Sequence, residues 1–264
     1  MKSYSIFVLF FAFILNSLSL TKALGFKIQS NSSENPVLIE LFTSQGCSSC
    51  PPAEIWMTKK LTHKGLFKTF IPVVYHVDYW NYIGWVDIFS SETYSNRQRN
   101  YAKFLKSRQI ATPSFFVNGR PWKQWYLNDP LNSTEAGPGT FNPLKSAEIF
   151  QNRRIFVYTS PSTLKAEYQS QNLTIHIALL TTGVVSSITG GENKGKILKN
   201  DFSVLHYEQK PLSKNFPRMK RLRFTVPPIP LKLQGKKQAV AIWISDHPNG
   251  PVLQALGSWI PFLF

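Results

Sequence analysis

Cys47 and Cys50 are the only cysteines among 264 residues, and their flanks narrow what the chain can fold into. Upstream, residues 37–43 (VLIELFT) form a short, β-branched, mostly apolar run that predicts a buried strand ending at Ser44-Gln45-Gly46. Downstream, Pro51 and Pro52 suit the first turn of a helix, where a missing N–H costs nothing. That helix is expected to run past Met57 and Leu61 and stop near Gly65. A cysteine pair this close closes too short a loop to be a useful structural staple. The spacing points to chemistry instead. The first thiol would meet the positive end of the helix dipole, which favours thiolate, and the second lies one turn on, within reach of a mixed disulfide. Cys47 is therefore expected to be the exposed nucleophile and Cys50 the more buried resolving thiol.

The rest of the first half alternates strands and helices. Residues 70–77 (FIPVVYHV) predict a second strand, followed by a loop dense in aromatics: Tyr79, Trp80, Tyr82 and Trp85. Ser90 or Ser91 can cap a helix to about Ser107, with Tyr94, Tyr101, Phe104 and Leu105 near helical spacing. Thr112-Pro113 opens a strand that closes at Asn118-Gly119, a strong hairpin signal. A proline beginning a strand that faces the cysteines is a candidate for a cis bond beside an extended client chain. Residues 122–142 read as an inserted loop and 144–151 as a short final helix. Beyond 155, candidate strands at 155–158, 173–180, 197–207, 222–226, 239–244 and 252–259 show little helical periodicity. The predicted class is α+β: an α/β domain with a mixed sheet over 24–153, which looks thioredoxin-like, then an all-β sandwich-like domain over 154–264.

Strand, cysteine pair, helix, strand, helix, Thr-Pro strand and hairpin in this order resemble the thioredoxin superfamily. A narrower resemblance is carried by Glu40 through Ala53 (ELFTSQGCSSCPPA), by His76-Val77-Asp78-Tyr79-Trp80 with Gly84-Trp85, by Arg97-Gln98-Arg99 with Tyr101, and by Gly191 through Gly195. These runs are similar to the secreted thioredoxin-like proteins grouped as domain of unknown function 1223. The resemblance implies a thioredoxin-like fold and export, and names no substrate.

Residues 1–23 read as a secretory signal: Lys2, a short apolar run, then Thr21-Lys22-Ala23 as a cleavage site, with the mature chain starting near Leu24. The protein is thus expected to be secreted or periplasmic. Its net charge of +16 comes from scattered Lys and Arg, without a nucleic-acid motif. A cationic exported surface fits weak association with an anionic membrane or cell wall, and no nucleic acid. Sequons at Asn31, Asn132 and Asn172 occur at about the frequency chance allows and carry no argument. Residues 190–196 (GGENKGK) imitate part of a phosphate loop, but Ile197 stands where a magnesium-binding hydroxyl is needed and a strand follows, so the segment reads as a turn.

The functional expectation is an exported thiol–disulfide oxidoreductase acting on protein thiols with a redox partner protein and no cofactor. Cys47, Cys50 and Pro113 carry it, with Thr112, Glu40, His76, Asp78 and Trp80 as supporting candidates. Glu40 could move protons for Cys50, although a one-residue offset on a strand reverses the face. His76 could tune a thiolate, or with Asp78 could order the aromatic loop. The aromatics could line a client groove or pack internally. Two rivals remain: a Cu(I) carrier using Cys47, Cys50 and His76, and a binding module without turnover. Ser48-Ser49 between the cysteines fits oxidation, isomerisation or reduction alike.

Overall fold

The computed structural model describes residues 25–30, 36–107, 109–127, 144–160, 172–212, 220–261 and 264. The signal-like segment, Asn31, Asn132 and most of the 122–142 insertion lie outside the described residues. In chain order the elements are β1 (Gly25–Gln29), β2 (Val37–Thr43), α1 (Pro51–Lys59), β3 (Phe70–His76), α2 (Glu92–Phe104), β4 (Ser114–Val117), β5 (Arg120–Trp122) and β6 (Leu144–Phe150). They continue with β7 (Arg154–Thr159), β8 (Thr174–Ser187), β9 (Ile197–Pro211), β10 (Lys220–Thr225), β11 (Lys237–Ser245) and β12 (Val252–Ile260).

Most of these elements stand where hydrophobic patterning and punctuation put them. β2 ends at the predicted residue. α2 starts after Ser91, whose Oγ accepts the Thr93 N–H. Asn118 and Gly119 both take positive φ, as a two-residue hairpin turn between β4 and β5 requires.

The predicted fold class is overturned. The described residues are dominated by strands in two sheets, with two short α-helices. One sheet has eight strands in the order β12-β11-β8-β9-β3-β2-β4-β5. β9 pairs in parallel with β3 through Val74 and Ser203, so the late strands extend the sheet that carries the cysteines instead of forming a separate sandwich. The other sheet, β1-β6-β7-β10, is antiparallel. Its second strand, β6, is made of residues 144–150, predicted helical, which pair with β7. Leu144, Ala147 and Ile149 are buried there, and pairing along both edges outweighs a weak helical propensity.

The large sheet is covered on both faces. On one, Leu38 and Phe42 of β2 and Val73 and Tyr75 of β3 pack with Tyr94 and Tyr101 of α2. On the other, Ile39 and Leu41 meet Ala53 and Met57 of α1, together with Phe202 of β9. Further along the sheet, Ile175, Ile177, Val240 and Ile242 pack against Ile149, Ile155, Val157 and Phe224 of the small sheet. β2 is thus buried on both faces, which fixes the point where its chain turns into the cysteine loop. No helix among the described residues is long and apolar enough to cross a membrane.

Candidate active site

After Thr43 the chain leaves β2 in a tight turn. Gly46 N donates to Ser44 Oγ at 3.1 Å, Cys47 N to Ser44 O at 3.2 Å, and Cys50 N to Cys47 O at 3.2 Å. Cys50 caps α1, with Pro51 and Pro52 as its first residues. Both thiols are free and covered: Cys47 is 1% exposed and Cys50 0%, while Ser48 and Ser49 face solvent. The exposed nucleophile expected at Cys47 is therefore corrected. The turn tucks its sulfur under the loop, 3.2 Å from Ser49 Oγ and 3.7 Å from the Thr112 carbonyl oxygen.

The two sulfurs differ sharply in acidity. Cys47 is lowered to about 6, first by a hydrogen bond from the Cys50 thiol, then against burial by Ser49 and Thr112. Cys50 is pushed far up by burial and by the sulfur of Cys47. Hydrogen-bond donors around the Cys47 sulfur, the Ser49 backbone N–H just ahead of the helix among them, lower it. Pro51 and Pro52 bring no N–H to the helix start, and Ala53 and Glu54 spend theirs on Cys50 O. Directed hydrogen bonds favour the thiolate.

The Thr112–Pro113 peptide is cis and lies beside Cys47. Trp80 Nε1 donates to Thr112 Oγ1 at 2.7 Å, which leaves that hydroxyl its own proton for the sulfur. Gln98 of α2 grips both sides of the segment, giving Nε2 protons to Ala111 O and Ser114 Oγ and accepting from Tyr79 OH. Beyond Pro113 runs a groove of about 590 Å³, walled by Leu105, Ile110, Phe115, Trp122 and Trp125.

The structure thus brings together Cys47, Cys50, Thr112, Pro113 and Trp80, and sets the other candidates elsewhere. Glu40 shares a β2 face with Leu38 and Phe42 and points to α2. There Arg97 pairs with its Oε1 at 2.6 Å and Tyr101 OH donates to Oε2 at 2.6 Å. The proton-transfer role for Glu40 is corrected, because strand alternation turns it from α1. Asp78 binds Ser95 of α2 through its N–H and its carboxylate, and so orders the aromatic loop. His76 is buried, with Nδ1 2.7 Å from Asp87 Oδ2 and Nε2 3.1 Å from Ser203 Oγ. Burial pulls this imidazole down, but Asp87, aided by Glu54, outweighs it and the net shift is upward. With both ring nitrogens engaged, His76 offers no third donor to the thiols. Among the described residues no three His, Cys, Asp or Glu side chains gather to hold a metal.

Residues 38–245, which span the cysteines, Pro113 and the β8–β9 hairpin, match the family described as protein of unknown function (DUF1223). The chain belongs to this family. No curated protein matches it in sequence. A crystal structure of a protein from Agrobacterium tumefaciens is similar at 24% identity and a TM-score of 0.55, covering 85% of this chain and 93% of that one. That likeness shows a shared fold. HBP35 of Porphyromonas gingivalis aligns at 12% identity and a TM-score of 0.49, over 87% of this chain and 76% of its own.

Four site residues of this DUF1223 chain escaped the sequence reading. Glu54 is buried on α1, and Thr43 Oγ1 donates to its Oε1 at 2.7 Å while also bonding the Cys50 thiol. Burial holds this carboxyl above the usual range. Its signal was present, since residue i+4 from Cys50 lies one helical turn on. Gln45 is a buried junction: its N–H goes to Asp87 Oδ2 at 2.8 Å, its side chain to Ser186, Asn200 and Trp85. Glu192 and Asn193, from the turn after β8, bind the backbone of the cysteine loop. Gly190 lets the same turn lie against the aromatic loop, because a Cβ there would lie 2.0 Å from Gly84 O. Local sequence carries no signal for these long-range partners.

Proposed function

We propose that this DUF1223 protein is an exported thiol–disulfide oxidoreductase acting on protein clients. The observation that carries the reading is the free thiol pair at the start of α1 beside the cis Thr112–Pro113 bond, where hydrogen bonds favour ionisation of Cys47 and burial disfavours that of Cys50. In the reducing direction, Cys47 thiolate attacks a client disulfide and expels one client thiolate. Cys50 then loses its proton and attacks the Cys47 sulfur, closing the Cys47–Cys50 disulfide and releasing the second client thiolate. The client gains two electrons and the pair loses two; the reverse sequence oxidises a client. Thr43, touching both Cys50 and Glu54, supplies a path for that proton. The apolar groove beyond Pro113 would seat extended client chain. Export rests on the signal-like character of residues 1–23, and the chemistry needs the pair whatever the fold around it.

The deciding test is the reduction potential of Cys47–Cys50, by equilibration against glutathione buffers. A value between roughly −270 and −120 mV supports the proposal and sets the direction of electron flow. A value below about −300 mV marks a structural disulfide and rejects it. As a second arm, Cys50→Ser should accumulate mixed disulfides with exported proteins, while Cys47→Ser should accumulate none.

A further inference from the structure

We propose that Glu192 and Asn193, at the turn joining β8 to β9, are opposed positioning residues: Asn193 aligns Cys47 for thiolate formation and Glu192 restrains it. The inference rests on the redox reading of the cysteine pair. Residues 188–196 continue the β8–β9 hairpin, with Ile188 N donating to Lys196 O at 2.9 Å and Gly195 N to Ile188 O at 2.8 Å. The turn is therefore a firm support, and it reaches the cysteine loop from 146 residues away in sequence.

Asn193 is fully buried, and its Nδ2 donates to Gln45 O at 2.9 Å and Cys47 O at 2.8 Å. Its Oδ1 accepts from Lys196 Nζ at 2.8 Å, which sets the amide's orientation. The two donated bonds pin the backbone on both sides of Gly46. The sulfur of Cys47 lies 3.2 Å from Ser49 Oγ and 3.7 Å from the Thr112 carbonyl oxygen, and its acidity depends on its placement against Cys50, Ser49 and Thr112. Losing the pin would misalign all of them together.

Glu192 acts in the other sense. Its carboxylate, exposed to solvent, accepts the Ser48 N–H at 2.9 Å, the amide next along the chain from Cys47. It places a like charge near the thiolate and occupies a donor that could turn towards the sulfur. Both effects weigh against the reduced, ionised form. The disulfide carries no thiolate charge and is not penalised, so Glu192 makes the pair more reducing.

The test compares Glu192→Gln, Asn193→Ala and Glu148→Gln, the last making the same charge change in the small sheet. For each full-length variant, the Cys47 midpoint is read from thiolate ultraviolet absorbance and the potential from glutathione equilibration. A single solvent-exposed charge facing a helix start acts modestly, so Glu192→Gln should lower the midpoint by about 0.2 to 0.7 unit. That is a gain of about 1.5- to 5-fold in the reduced form at neutral pH, or about 5 to 20 mV upward. Asn193→Ala should shift both readouts the opposite way. Loosening alone would move both variants in one direction, so shifts of the same sign overturn the inference. An unshifted Glu192→Gln, or one matched by Glu148→Gln, overturns it as well. If wild-type Cys47 titrates as an ordinary thiol and its disulfide does not exchange, the redox reading itself has failed. If the wild type exchanges but the variants break the pattern, only this inference falls.

Discussion

Replacing Cys50 by alanine removes the hydrogen bond that contributes most to the acidity of Cys47. With wild-type Cys47 at about 6, roughly nine-tenths of it is thiolate at pH 7. In Cys50→Ala the midpoint should climb towards the ordinary thiol value of about 8.5, where about 3 in 100 molecules are ionised at that pH. Cys50→Ser keeps a donor and should fall between. The assay is thiolate ultraviolet absorbance against pH, since Cys50 is held protonated through this range in the wild type. Alkylation rate is a blunter measure. A loss of about thirtyfold in thiolate is offset about tenfold by the greater intrinsic nucleophilicity of a more basic sulfur, leaving about threefold. The lowered acidity also couples to folding. The folded midpoint lies below the unfolded one, so its stability contribution is present above about 8.5 and fades as pH falls to about 6. Reduced wild type should gain stability with rising pH in that window, and Cys50→Ala should gain less. A Cys50→Ala midpoint still near that of the wild type would refute the assignment of Cys50 as the donor.

Other substitutions probe what surrounds the pair. Arg97→Met leaves Glu40 buried with Tyr101 as its remaining partner and should cost about 3–5 kcal/mol in urea denaturation, most of it recovered in Glu40→Leu/Arg97→Met. Glu54 has a folded pKa raised by burial, so its stability contribution is full below its unfolded value of about 4.3 and is lost as pH rises through the folded one. Glu54→Gln should flatten that decline and slow the second step of thiol exchange; an unchanged pH profile contradicts the burial argument. Gly190→Ala puts a methyl 2.0 Å from the Gly84 carbonyl oxygen and should lower the melting temperature while raising the Cys47 midpoint. A melting curve and a thiolate titration matching the wild type would show that the hairpin does not hold the loop.

Local patterns in the chain were enough to place β2, α1, β3, α2 and the β4–β5 hairpin, and to set Cys47 and Cys50 at the start of α1. Each of these depends on neighbours a few residues away: apolar alternation, a proline pair, a serine cap, an Asn-Gly turn. The strands after residue 155 were legible as strands for the same reason. Which sheet they join was not, because a buried β-branched run reads the same in either sheet, and the β3–β9 pairing rests on Val74 meeting Ser203 across the molecule. Tertiary contacts also assigned the carboxylates. Glu40 and Glu54 are both buried acids close to the cysteines in sequence, yet strand alternation sends Glu40 to Arg97 while the helical turn brings Glu54 to Thr43. Gln45, Asp87, Glu192 and Asn193 meet around the cysteine loop only once the β8–β9 hairpin has folded onto it. Residue type and spacing determine local geometry and place Cys50 and Ser49 beside the Cys47 sulfur, whereas Thr112 at that sulfur and Asn193 on the backbone around it come from segments that only the tertiary fold delivers.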